Sequence, residues 1–195
     1  MGLTIADSYY LKAKGAMSGW FSDWNEACET LNYALSYDEN HCPSLCLLGK
    51  IYAEYMYDFD KAFDCYDKVI SINPDFKEVY PAYIMYLIWA DENERAEKLI
   101  DFAFKIKGVD VARLNWLSSY INETKGKYKK SLKDLKAAKK VIYNDYFFDF
   151  MLDEEKRIKK KIALDKPKKK KTSKKKTPSE KKNTYPVRVR RNSGP

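Results

Sequence analysis

The sequence predicts an all-α fold, an α-solenoid of stacked helix–turn–helix units closed by a capping helix and followed by a basic tail. Three observations carry this expectation. Apolar residues recur at 3- and 4-residue spacing through most of the chain, as they must if one face of each helix is to be buried. Four columns of residues share one period. Ala27, Ala62, Ala96 and Ser131 are spaced by 35, 34 and 35 residues. Four residues after each stand Leu31, Tyr66, Ile100 and Leu135, seven after stand Ala34, Val69, Ala103 and Ala138, and three before stand Trp24, Phe59, Asn93 and Tyr128. Small residues belong where two helices cross most closely, and large ones fill the space beside them. Finally, glycine and proline number only 7 each in 195 residues, too few for the turns of an all-β fold.

The units run over about 7–40, 41–75, 76–109 and 110–143. The second is the clearest. Leu45, Leu48 and Tyr52 form one apolar face, with Gly49 small enough to admit a neighbouring helix. Phe59, Ala62, Phe63, Tyr66, Val69 and Ile70 form a second, and Pro74 ends it, since proline cannot continue the hydrogen-bond ladder. A helix pair this short cannot bury both faces alone, so neighbours of the same kind must stack on it. In the third unit, Asp75 and Glu78 have the spacing of a capping arrangement, and Pro81 requires that the helix start later than Asp75 or be kinked. Asp91-Glu92-Asn93 and Thr124-Lys125-Gly126 supply the turns within the third and fourth units. Residues 144–165 read as a capping helix. Phe147, Phe150, Met151, Ile158 and Ile162 trace its apolar stripe, with Asp153–Arg157 and Glu155–Lys159 as i,i+4 pairs. Its acids precede its bases, which complements the helix dipole.

Charge is unevenly distributed. Residues 1–124 hold 11 basic and 20 acidic residues, a net −9. Residues 125–165 hold 13 and 7, a net +6, and residues 166–195 hold 13 and 1, a net +12. The last thirty residues have almost no apolar content and cannot offset their own ordering entropy.

The period and its residue types resemble the tetratricopeptide repeat family over roughly residues 7–143. In the second unit Leu48-Gly49, Tyr52, Ala62, Tyr66 and Pro74 all match. The first keeps Leu11, Gly15, Ala27 and Ala34, with Glu39 in place of the closing proline. The third keeps Ala96 and Ala103, with Ile84 for the glycine and Gly108 for the proline; the fourth keeps Gly126, Tyr128 and Ala138, with Ser118 and Ser131 as small substitutes. The resemblance implies a non-catalytic scaffold that binds a peptide or helix of a partner protein in a concave groove. The first helix of each unit lines that groove in the family. By that analogy its lining includes Tyr9, Lys12, Trp20, Lys50, Met85, Trp89, Asn115 and Asn122, with Cys46 and Ser119 beside them. Trp20 and Trp89 could instead turn inward and seal the seams between units. Some family members grip a C-terminal carboxylate. The matching positions here are Lys12, Ala16, Leu47, Glu78 and Ala82, of which only Lys12 fits, so chaperone-tail binding of that kind is not expected.

Other chemistry finds little footing. His41, Cys42 and Cys46, with Cys28 or Cys65, lack the paired spacing of a zinc motif; the four cysteines read as reduced thiols, Cys28 and Cys65 beside helix contacts and Cys46 on an exposed face. No metal or other cofactor is expected. The one histidine, His41, has no nucleophile motif around it, and an enzyme is not expected. No apolar run is long enough to span a bilayer, and no basic start precedes an apolar run at the N-terminus. Ala6 stands where a myristoylation motif wants Ser or Thr. A cytoplasmic location is expected, or a nuclear one in a eukaryote, since Pro167-Lys168-Lys169-Lys170-Lys171 resembles a basic import signal. The alternative function is nucleic-acid association. Lys168, Lys169, Lys170, Lys171, Lys174, Lys175, Lys176, Arg188, Arg190 and Arg191 would bind phosphates without reading sequence.

Overall fold

The computed structural model describes residues 2–18 and 22–165. Trp20 and the whole basic tail, with Lys168 to Lys171, Lys174 to Lys176, Arg188, Arg190 and Arg191, lie outside the described residues. The described residues form nine α-helices and no strand. Several starts have a local cause. Thr4 caps α1 (Ile5–Ala16): its side chain accepts from the Asp7 amide at 3.0 Å, and the Asp7 carboxylate accepts from the Thr4 amide at 2.9 Å. Asp23, Asp58 and Asp110 cap α2 (Trp24–Tyr37), α4 (Phe59–Ile72) and α7 (Val111–Thr124), each accepting from the amide three residues on. α3 (Cys42–Ile51) has Pro43 in its first turn, where the missing amide costs nothing. It continues through Tyr52–Met56 as a widened π turn and stops at Tyr57, whose φ of 54° is left-handed.

In the third unit the helix starts later than Asp75, and the expected cap does not form. α5 (Val79–Trp89) begins after Glu78, which makes no side-chain cap, and the Asp75 amide instead donates to Asn73. Pro81 therefore falls in the first turn and needs no kink. α6 (Asn93–Ala103), α8 (Tyr128–Lys139) and α9 (Asp145–Asp165) complete the chain. α1 packs on α2, α3 on α4, α5 on α6 and α7 on α8, and successive pairs stack in sequence order with α9 against α8.

The period of the sequence is a period of burial. Ala27, Ala62, Ala96 and Ser131 are each 0% exposed, and so are Ala34, Val69, Ala103 and Ala138. Leu31, Tyr66, Ile100 and Leu135 are buried beside them. Gly49 is required by the approach of α4: a Cβ there would stand 2.9 Å from the Tyr66 ring and 3.2 Å from Cys65 Cβ. Across the second seam Tyr66 stacks on both Tyr83 and Tyr86. Tyr83 donates to Asp67 at 2.7 Å and accepts from Arg95 at 2.8 Å, tying α4, α5 and α6 together.

Two smaller expectations are corrected. Cys46 does not sit on an exposed face. It packs against the main core, and burial pushes its thiol pKa up to about 12. Arg157 does not pair with Asp153, which takes Lys156 at 2.9 Å; its guanidinium is drawn instead to Glu123 and Glu154. The Glu155–Lys159 pair forms, at 2.5 Å.

Candidate functional site

A cleft of about 810 Å³ opens along the first helices of the second to fourth units. α3 and its π turn contribute Lys50 and Glu54, α5 contributes Met85, Tyr86 and Trp89, and α7 contributes Arg113 and Trp116. The start of α9 closes the far wall with Tyr146, Phe147 and Phe150. Helical periodicity explains the α5 set: Pro81, Ala82, Met85, Tyr86 and Trp89 follow the 3–4 spacing of one face.

The rings are ordered by one another. Trp116 meets Phe150 edge-on at 5.6 Å and Phe147 at 6.3 Å, and its indole N–H donates to Glu154 Oε2 at 3.3 Å. Trp89 meets Tyr86 edge-on at 5.4 Å and is 55% exposed, a large apolar surface for a ring so well positioned. The charged groups offset each other locally. Lys50 pairs with Glu54 at 3.7 Å, and Tyr86 donates to the same carboxylate at 2.7 Å. Burial, then that hydrogen bond, pushes the Tyr86 phenol above its ordinary pKa, so it stays a donor.

Of the residues expected in a groove, Lys50, Met85 and Trp89 line this cleft. Tyr9 does not: it stacks on Tyr33 at 5.8 Å and Tyr37 at 5.7 Å of α2. Lys12 also turns to α2, where it meets Glu26 at 3.5 Å. On α7 the expectation is rotated. Asn122 is 2% exposed and donates to Asp134 of α8 at 2.7 Å. Ser119 is buried against Ser131, and Asn115 donates to its own helix at Val111. Arg113 and Trp116 take the positions facing the cleft. The α9 aromatics were missing from the expected lining because that helix reads in sequence only as a cap. The signal that could have found them is the 3–4 spacing of Tyr143, Tyr146, Phe147 and Phe150.

Sequence reading also missed a hydrogen-bonded chain at the first seam. Asp7 Oδ1 lies 3.1 Å from His41 Nε2, and His41 Nδ1 lies 2.7 Å from Ser44 Oγ. An ionised Asp7 accepts from Nε2–H, and in the neutral imidazole Nδ1 then accepts a hydrogen bond from the Ser44 hydroxyl. The order is that of a serine–histidine–aspartate triad, but Ser44 is 0% exposed, so no substrate can reach its oxygen. The arrangement clamps α1 to α3. Among the described residues no cluster of His, Cys, Asp and Glu could hold a metal ion, and none of the helices is long and apolar enough to cross a membrane.

No protein-family model matches the chain, and no curated protein matches its sequence. Solved structures do resemble it. One is PilW, described as a widely conserved type IV pilus biogenesis factor, with 19% identity, a TM-score of 0.63 and 70% of this chain covered. The chain spans 62% of the length of that protein. MamA matches over 84% of this chain and 98% of its own, with 16% identity and a TM-score of 0.57. A thermophilic tetratricopeptide repeat protein of Thermus thermophilus matches over 82% of each chain, with 14% identity and a TM-score of 0.62. At these identities the likeness is one of architecture, and with stacked helix pairs on a 34- to 35-residue period the chain has the fold of the tetratricopeptide repeat proteins.

Proposed function

We propose that the chain is a non-catalytic interaction scaffold whose cleft takes an apolar or aromatic segment of a partner protein, as a helix or an extended peptide. The observation that carries this reading is Trp89, ordered by Tyr86 and yet 55% exposed, on the wall of an 810 Å³ cleft faced by Trp116, Phe147 and Phe150. Ordered aromatic surface beside flanking charge is the usual make-up of an interface centre, where a few desolvated anchors carry most of the affinity. The architecture shared with PilW and MamA supports a protein partner in general.

The test separates binding from folding. Trp89 is already half in solvent, so Trp89→Ala should lower the unfolding midpoint only slightly. It should weaken partner capture by about tenfold or more, the scale of an anchor worth about 1.4–2 kcal/mol. A loss of stability near the roughly 3–5 kcal/mol of a core aromatic deletion would instead make Trp89 a seam residue and remove the cleft proposal.

A further inference from the structure

We propose that the exposed face of α8 is a polyanion-binding surface built into the folded repeats, suited to the phosphodiester backbone of a nucleic acid. Lys129, Lys133, Lys136 and Lys140 are all exposed and follow each other at spacings of 4, 3 and 4 residues. At about 100° per residue they fall within a stripe roughly 60° wide, opposite the buried Ser131, Leu135 and Ala138. None of the four forms an ion pair among the described residues; the bases of this region that do are Lys125, with Glu97, and Lys139, with Glu155.

The stripe contrasts with the equivalent helices of the other units. α2 carries acids and no base, and α4 and α6 each carry three acids against two bases. α8 has one acid, Asp134, and its carboxylate is withdrawn from the surface, accepting from Ser118 at 2.9 Å and from Asn122 at 2.7 Å. Like charges at i,i+4 cost helix stability, so the pattern is not what folding alone favours.

The linear form points to the partner. At 1.5 Å per residue the stripe is about 16 Å long, enough to run beside about five phosphates of one strand at roughly 3.4 Å axial spacing. Lysines act there as point charges, so binding would be indifferent to sequence. A membrane surface fits less well, because an interfacial helix needs a free apolar face and α8 has spent its own on α7.

The experiment uses the full chain, so that residues 166–195 contribute equally to every variant. Binding to a random-sequence DNA duplex is measured by fluorescence anisotropy across salt concentrations. Replacing Lys129, Lys133, Lys136 and Lys140 together by Gln should weaken binding at least about tenfold near 0.1 M salt. It should also make the slope of log K against log salt less negative by about 3.6, since each of the four lost phosphate contacts removes about 0.9. Replacing the same four by Arg should retain binding. Circular dichroism should show both variants folded, since all four side chains are in solvent. A slope changed by less than about 1 would overturn the proposal. So would an equal loss when the exposed Lys68, Lys98, Lys105 and Lys107 become Gln, which would make net charge the cause. Loss of binding to phosphatidylcholine–phosphatidylserine vesicles with DNA binding intact would overturn it as well.

Discussion

Tyr66 is fully buried between Gly49, Tyr83 and Tyr86, yet its hydroxyl has no hydrogen-bond partner among the described residues. Its neighbour Tyr86, also buried, donates to Glu54. The two phenols should therefore respond in opposite directions to loss of the hydroxyl. An unpartnered buried polar group costs about 1–3 kcal/mol, whereas a made hydrogen bond to a charged acceptor contributes about 1.5–3 kcal/mol. Tyr66→Phe should leave stability unchanged or raise it by about 1 kcal/mol, and Tyr86→Phe should lower it by about 1–2 kcal/mol. Urea unfolding of both variants checks the sign; a clear loss in Tyr66→Phe would mean the hydroxyl does find a partner. At this scale the sequence was informative about volume and silent about polar satisfaction. Gly49 and Tyr66 stand out as a small and a large residue of adjoining columns. The pairing of Tyr86 with Glu54, 32 residues apart, follows only from the stacking of whole units.

The ninth helix shows the same limit one level up. Its existence was legible in the stripe of Phe147, Met151, Ile158 and Ile162, but its attachment was not. Glu123 at the end of α7 is 5% exposed and takes Arg157 at 2.5 Å and Lys161 at 2.7 Å. Burial pushes the Glu123 carboxyl up, but the hydrogen bonds from Arg157 and Lys161 more than reverse this and hold it below the usual glutamate value. A lowered folded pKa contributes stability above the unfolded value, and that contribution is lost as pH falls through the folded one. Docking of α9 should thus weaken below about pH 4.5, the ordinary glutamate value, and Glu123→Gln should remove that part of the acid dependence. The variant should also cost about 1–2 kcal/mol at neutral pH, less than a fully buried pair, because both cations are more than 40% exposed. Unfolding followed from pH 7 to pH 3 in both proteins measures this. Unchanged acid dependence in Glu123→Gln would place the titrating group elsewhere. The rotation of α7 has a related cause. Ser119 and Asn122 read as lining the groove, yet they hydrogen-bond into α8 through Ser131 and Asp134. A polar helix face can be an internal one when its neighbour supplies matching polar groups.

At the scale of the molecule, the core formed by the described residues is divided. The middle cluster joins 21 buried residues from Cys42 to Ile121, including Tyr66, Tyr80, Ile84 and Leu114. Among the described residues the first seam holds Ala13, Ala27, Leu31, Leu48 and Ile51, and the last Leu135, Ala138, Met151 and Ile158. In a stack whose units touch only their neighbours, stability is a sum of local terms, and the ends open without the middle. Half-buried residues bridge the clusters, Leu35 and Tyr52 toward the first and Trp116 toward the last. Amide exchange should accordingly be slowest in α4, α5 and α6 and fastest in α1, α2 and the first half of α9, where Tyr146 and Phe148 are exposed. The repeat period alone would predict even protection, because it assigns each unit the same columns. The gradient arises from what surrounds those columns, above all α5, where Val79, Tyr80, Ile84 and Leu87 are all buried and no helix at either end buries as much. Hydrogen exchange read by mass spectrometry resolves these segments. Uniform protection across all nine helices would show a single cooperative core. A gradient falling toward both ends would place the α9 wall of the cleft in its least stable part, so the wall could shift to admit a partner while α5 and Trp89 stay fixed.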